Sequence, residues 1–384
     1  MQTSTHLQLT APGVYLQNIP SPPGKDLLTG VPVFLGLSQF NNAQKNGVSI
    51  PKMLTLWTQF VQYFGKPLTD SYLAHAVRGF FENGGRLCYV FSVPDNTLSG
   101  LQTGLQAIES LDAIDLVCAP DIMQNSPAEA MEMQRAVLEH CDRIGDRFAI
   151  LDAFNIPNIE DIKTLKAQQQ GLIGDHGALY APWLQIENAS CYIPPCGHIA
   201  GIYARNDSEV GVYRAPANYL LEGVLDLSLL FADADWQTLN SETSAGVNCI
   251  RSFRSRGIRI WGSRTLSQNP EWQYINIRRL KITVLRWVER NLADVIFEPN
   301  NTDLWNRIER ELTVYCESLW EQGAIHGDSP EEAFYVKCNE ETNPPEIRKT
   351  GQIVTKIGLA PTTPSEFIVI SLVHGSSGVK FVES

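Results

Sequence analysis

Ten basic side chains stand between Arg251 and Arg290: Arg251, Arg254, Arg256, Arg259, Arg264, Arg278, Arg279, Lys281, Arg286 and Arg290. Only Glu271 and Glu289 oppose them, so this stretch carries +8 (ten minus two) inside a chain whose formal net charge is −12. Like charges at that density repel unless solvent, local carboxylates or an anionic partner offsets them. Nine of the ten are arginines, whose planar guanidinium suits paired contact with carboxylate or phosphate. The chemistry on offer is therefore recognition of an acidic surface, and the competing reading is a solvated helix face.

Other chemistries find less support. The seven histidines (His6, His75, His140, His176, His198, His326 and His374) include no pair at metalloprotease spacing, and no serine sits in a nucleophile-elbow frame. The HGSSG run from His374 to Gly378 reads as a hinge. Asp112 with Asp115, or Glu331 with Glu332, could be imagined as paired carboxylates, but exposed helix-end charge is the simpler expectation. Neither a phosphate-cradling loop ending in Lys and Ser or Thr nor a dinucleotide fingerprint is found, so no nucleotide hydrolysis is assigned. Among the cysteines and histidines only Cys191, Cys196 and His198 form a cluster of more than two, and it is read as a loop without metal because a structural zinc wants four tightly spaced ligands. The expected class is a protein without catalysis, cofactor or metal. An arginine-rich nucleic-acid-binding structural protein is the alternative, against which stand a pI near 5.1 and the lack of a recognisable nucleic-acid module.

A chain of 384 residues exceeds what one core usually organises, which predicts two domains. No apolar run reaches the length of a membrane span, and the polar start lacks the basic and apolar parts of an export signal, which predicts cytoplasmic synthesis and no membrane insertion. From VPVFLGL onward, buried strands (Arg86 to Val93, IDLVCAPD, RFAILDA, ALYAPWL) alternate with helical patterns (Leu56 to Phe64, Asp70 to Glu82, Leu101 to Leu111, Ala128 to Ile144). That alternation predicts a layered α/β domain with a largely parallel sheet over residues 31–245. Pro194 to Gly211 reads as loop. Past Gly246 the pattern changes to a hairpin about Gly257, a helix from Tyr274 to Ala293, a second from Asp303 to Gln322, and three strands, giving an α+β domain over 246–374. On the first helix Leu280, Val284, Val288 and Leu292 share one side, and Arg279, Arg286 and Arg290 lie on the other.

Both ends look extended. Val14, Tyr15, Leu16 and Ile19 precede a Pro20, Pro22, Pro23, Gly24 break, and Val379, Phe381 and Val382 follow the Gly375 to Gly378 joint. Lone strands at 1–30 and 375–384 must pair with a sheet edge, here or on another copy. If both reach outward, each copy lends strands and receives them, an open-ended contact that builds helical arrays.

The ordered motifs APGVY (Ala11 to Tyr15), FFENGG, RFAILDA, LYAPWL, PPCGHIAGIYAR, APAN, GVNCIRSF, GIRIWGSRTL, RRL, FEPN, LW, EEAFYVKCN and EFIVISLVH span Ala11 to His374. Their order resembles the contractile tail sheath family of phage tails, phage-tail-like bacteriocins and extracellular contractile injection systems. The resemblance implies a subunit that polymerises with itself round an inner tube protein, between a baseplate and a terminal cap, within a phage tail or injection particle. It also implies an inner domain (246–374), an outer α/β domain (31–245) and interlocking arms. On that scheme Arg278, Arg279, Lys281, Arg286 and Arg290 face an acidic tube, while Val14, Tyr15, Leu16, Ile19, Val379, Phe381 and Val382 form the inter-subunit arms. The chain is short for the family, which favours a phage-tail-like particle or injection system.

Overall fold

The computed structural model describes residues 27–40, 44–45, 48–187, 189, 191–240, 245–362, 368–375 and 378–382. The first part of the chain contains β1 (Pro32–Gly36), the two-residue pair β2 (Gln44–Lys45) and β3 (Val48–Ser49), β4 (Lys52–Leu54), α1 (Trp57–Phe64) and α2 (Leu73–Glu82). There follow β5 (Cys88–Ser92), α3 (Leu98–Ala107), β6 (Leu116–Cys118), α4 (Pro127–Ile144), β7 (Phe148–Asp152), α5 (Ile162–Gly171), β8 (Gly177–Ala181), β9 (Leu184–Ile186) and α6 (Cys196–Glu209). Next come β10 (Val224–Leu227), α7 (Asp233–Asn240), β11 (Val247–Phe253) and β12 (Gly257–Trp261). The last part contains α8 (Ile275–Asn291), α9 (Thr302–Glu321), α10 (Pro330–Ala333), β13 (Phe334–Lys337), α11 (Pro345–Lys349), β14 (Ile353–Leu359), β15 (Ile368–Gly375) and β16 (Gly378–Val382).

An eight-stranded sheet in the order β12-β11-β8-β7-β6-β1-β5-β4 organises the larger unit. Every neighbouring pair from β11 to β5 is parallel, and β12 and β4 close the two ends antiparallel. The strands are apolar on both faces because both are covered. In β1, Phe34 points into the core under α1, α2 and α6, whereas Val33 and Leu35 point into the core under α3, α4 and α5. Helix α4 starts where Ser126 predicts: its hydroxyl accepts from the Glu129 N–H, the Glu129 carboxylate returns to the Ser126 N–H, and Pro127 sets the first turn. This α/β layer is the architecture expected from the alternating pattern.

Two expectations are corrected. The segment read as loop from Pro194 to Gly211 is largely α6, and Cys196 and His198 are buried on it. Its glycines let it press against α2: a Cβ on Gly197 would sit 2.2 Å from the Ala76 carbonyl oxygen. The hairpin about Gly257 exists, but β11 pairs parallel with β8, so 247–261 completes the first sheet and the change of unit falls after Trp261, not at 246.

The second unit is antiparallel, in the order β13-β14-β15-β16, with α8 and α9 packed beside it. Leu280, Val284, Val288 and Leu292 of α8 and its end join Trp305, Ile308 and Leu312 of α9 and Ile353, Ile357 and Leu359 of β14 in one core. Ile275 and Ile282, by contrast, belong to the core of the large sheet. Helix α8 is thus shared by both units. Val379, Phe381 and Val382 lie on β16, whose backbone folds back antiparallel on β15 of the same chain, with Leu372 opposite Phe381. In the single chain this tail thus forms a hairpin with β15. Val14, Tyr15, Leu16 and Ile19 lie outside the described residues.

In an open sheet of this winding, ligands usually enter at the strand ends where the connections diverge, here beyond β1 and β6. That crevice is filled by the chain itself. Asp121 accepts the backbone N–H groups of Leu37 at 2.6 Å and Tyr72 at 2.5 Å and the Ser71 hydroxyl at 2.8 Å. Burial pushes its carboxyl above the ordinary range, and these donors pull against the shift. Position 36 must be glycine for this contact, since a Cβ would come within 2.7 Å of the Asp121 carboxylate.

Candidate assembly interface

The basic stretch divides into two environments. On α8, Arg278, Arg279, Lys281 and Arg286 are only 3%, 2%, 6% and 5% exposed, so four of the five residues expected to face a tube are spent inside the chain. Arg290 alone of the five is exposed. The sidedness read from the sequence is right, but the arginine side of α8 docks on the α/β layer rather than facing outward.

Arg279 carries the strongest of these contacts. Its Nη1 and Nη2 donate to Asp207 at 2.8 and 2.6 Å, and Nη2 also donates to Asp115 at 2.9 Å. The ring of Tyr203 lies 4.8 Å from the guanidinium carbon. Two carboxylates hold the guanidinium charged, raising its already high pKa, while burial pushes the Asp207 carboxyl up and Arg279 pulls it back. Asp115, expected at an exposed helix end, is buried instead and also accepts the N–H groups of Gly30 at 3.0 Å and Val31 at 2.6 Å. One ionic knot therefore joins α8, α6, the edge of β6 and the chain entering β1. Such a knot adds specificity more than net stability, because two carboxylates and a guanidinium all left water to make it.

Neighbouring cations repeat the theme. Arg278 contacts the His176 ring with Nη2 2.8 Å from Nε2, and His176 Nδ1 lies 2.5 Å from Asp142. Burial lowers the His176 pKa, Asp142 opposes the shift and Arg278 reinforces it. Arg286 donates to the carbonyls of Leu28 at 3.3 Å and Asp112 at 3.0 Å. Lys281 and Arg278 both lie over the Trp272 ring, at 4.3 and 4.9 Å. An amphipathic pattern cannot tell a basic face in solvent from one answered by buried acids far away in sequence, which is why this clasp was missed. The one sequence signal was Asp115, standing among apolar residues in AIDLVCAP.

The other half of the stretch stays outside. Arg254 and Arg256 are exposed at the β11–β12 tip, beside the Phe253 and Trp261 rings, which pack 4.8 Å apart. Arg251 is bound to Asp233 at 2.7 Å, and Arg259 donates to the Asn218 carbonyl at 2.6 Å. The large basic face that a nucleic-acid reading needs is thus reduced to a small tip.

Family models cover most of the chain: the phage tail sheath protein central domain matches residues 96–266 and the phage tail sheath C-terminal domain matches 267–373. The chain belongs to the phage tail sheath family. The junction of the two matches falls just after β12, where the sheet topology puts the change of unit. Among curated relatives of this sheath chain, a putative prophage major tail sheath protein of Pseudomonas aeruginosa (strain UCBPP-PA14) is 23% identical over 282 residues, covering 70% of this chain and 68% of that one. The tail sheath protein of Escherichia phage P2 is 22% identical over 282 residues, covering 71% and 67%. Solved structures agree more fully. The sheath complex of an extracellular contractile injection system, PVC, in its contracted state matches with TM-score 0.75 and 29% identity, covering 94% of this chain and 96% of that one. The contracted helical sheath of the anti-feeding prophage matches with TM-score 0.75 and 27% identity, covering 94% and 98%. Among the described residues no helix is long and apolar enough to cross a membrane.

Proposed function

We propose that this chain is the repeating subunit of a contractile sheath in an injection particle of the PVC or anti-feeding-prophage type. Copies pack helically round an inner tube, and the sheath shortens to drive that tube through a target envelope. The observation carrying this reading is the match over nearly the whole chain to sheath subunits of those two particles, at similar chain length. Identity is higher to those injection-system sheaths, 29% and 27%, than to the prophage and phage P2 proteins, 23% and 22%, which favours the injection-system type.

Self-association is the principal contact, with the baseplate at one end, a terminal cap at the other and the tube protein inside. The unit from 262 onward is assigned to the tube side and the α/β layer to the outside. Since Arg278, Arg279, Lys281 and Arg286 are occupied internally, tube contact falls to Arg290 and other exposed groups of that unit. The work of contraction is stored at assembly: contacts with tube and baseplate hold an extended lattice, and release increases burial between neighbours. About 40 Å² of extra apolar contact per copy yields about 1 kcal/mol, which multiplies over a polymer. The ionic knot at Arg279 keeps each subunit rigid while the lattice slides.

Electron microscopy of the purified chain, alone and coexpressed with its tube protein, tests this. Striated hollow cylinders are expected. Compact monomers at high concentration under both conditions would overturn the reading.

A further inference from the structure

Resting on the sheath reading, we infer that the loop bearing Phe297 is a knob that seats against the β11–β12 tip of a second copy. Phe297 is 94% exposed, the most exposed of the large apolar side chains described, and its backbone sits at φ 75°, a left-handed conformation that a bulky residue rarely adopts. Neighbouring bonds hold it there. Glu298 pairs with Arg307 at 2.6 Å, Asn300 donates to the Gln352 carbonyl at 2.9 Å, and the Trp305 indole donates to Asn300 at 2.8 Å. An aromatic ring fixed in water, on strained backbone, by a well-bonded loop is an arrangement for meeting a partner.

Charge selects the partner. From Glu289 to Arg307 the chain carries four carboxylates (Glu289, Asp294, Glu298 and Asp303) against Arg290 and Arg307. From Arg251 to Trp261 it carries four arginines and no acid, with Arg254 and Arg256 exposed on either side of Ser255, itself at φ 67°. Between them the tip offers the Phe253 and Trp261 rings, half-buried and 36% exposed. An acid-rimmed aromatic knob and an arginine-rimmed aromatic seat are complementary, and they lie on different units of one chain. A contact between unlike patches of identical molecules is head-to-tail, and where its rotation does not close into a ring it propagates as a helix.

The test places photoreactive p-benzoylphenylalanine at position 297 and irradiates assembled particles. Expected is a covalent dimer of this chain whose linked peptide comes from residues 251–261. A dimer linked elsewhere, a link to a different particle protein, or no link in intact sheaths overturns the inference. The paired variant Arg254→Glu/Arg256→Glu should cut pelletable sheath at least tenfold, and adding Asp294→Arg, which leaves the Glu298–Arg307 pair intact, should recover at least threefold; no recovery, or no loss, also overturns it. Cylinders from the unmodified chain are the control: their absence defeats the sheath reading, whereas normal cylinders with an inert position 297 defeat only the knob.

Discussion

The β11–β12 tip and the α8 helix carry four arginines each, yet Arg254 and Arg256 of the tip stand in water while α8 buries Arg278, Arg279 and Arg286. Arg254 and Arg256 sit exposed on a two-stranded projection, where Arg256 donates to the Asn218 side-chain oxygen at 3.1 Å. Arg279 sits where α6 and β6 bring Asp207 and Asp115 together from 72 and 164 residues away. Charge density alone therefore says that a cluster must be answered; only the fold says whether the answer comes from inside the chain or from another molecule.

Replacing Arg279 is the sharpest way to break that contrast. Arg279→Met leaves two carboxylates buried without their cation and is expected to cost about 3–5 kcal/mol, read as a shift in the denaturant midpoint. Arg254→Glu with Arg256→Glu, at the exposed tip, should move the same midpoint by about 0.5 kcal/mol or less while changing assembly. Equal losses at both sites would erase the distinction.

The buried side also carries titratable groups of a kind absent between Arg251 and Trp261. Burial lowers His198 and His140 to about 4, with Arg147 adding to the effect at His140. A histidine whose folded value is depressed stabilises fully above its ordinary value of about 6.5, and loses that contribution as pH falls toward about 4. Asp152, pushed up to about 7 by burial, has the opposite sign: its contribution is complete below about 4 and drains as pH rises through 7. His198→Leu should therefore flatten the acid limb of the stability curve by up to about 3 kcal/mol between pH 6.5 and 4. Asp152→Asn should steepen it. Unfolding midpoints measured at several pH values check both slopes.

Most of the α/β layer was legible because its strands are continuous apolar runs and its helices have start signals such as Ser126-Pro127. Helix α6 was not, since the glycines that let it approach α2 are the residues that otherwise mark loops. The unit boundary was misplaced because β11 and β12 carry Arg251 and Arg259 and so differ in composition from the apolar strands of the sheet they join. Burial of Arg278, Arg279, Lys281 and Arg286 was illegible for a different reason: their partners Asp115, Asp207 and His176 are distant in sequence, and helical periodicity carries no information about them. The family resemblance, resting on ordered motifs over most of the chain, survived all three errors.

Arg286 offers a smaller effect on the buried side. Its two bonds reach backbone carbonyls of Leu28 and Asp112, so Arg286→Ala should cost about 2 kcal/mol through lost charge-assisted bonds and packing. Because Leu28 leads into β1, exchange of the Gly30 and Val31 amide hydrogens should quicken more than that of β7. Uniform quickening would mean that Arg286 supports the whole layer rather than the entry of the chain.

The smallest effect belongs to the exposed tip. Ser255 adopts φ 67°, where glycine carries no steric penalty, so Ser255→Gly should raise the stability of the single subunit by less than about 1 kcal/mol. The same change loosens the turn that sets Arg254 and Arg256 apart, and sheath assembly should weaken although each subunit is sturdier. A gain in melting temperature accompanied by a loss of assembly cannot arise from damage to the fold. It would identify the tip as strained for the sake of a neighbour, in contrast to α8, where every substitution that weakens the clasp must weaken the subunit first.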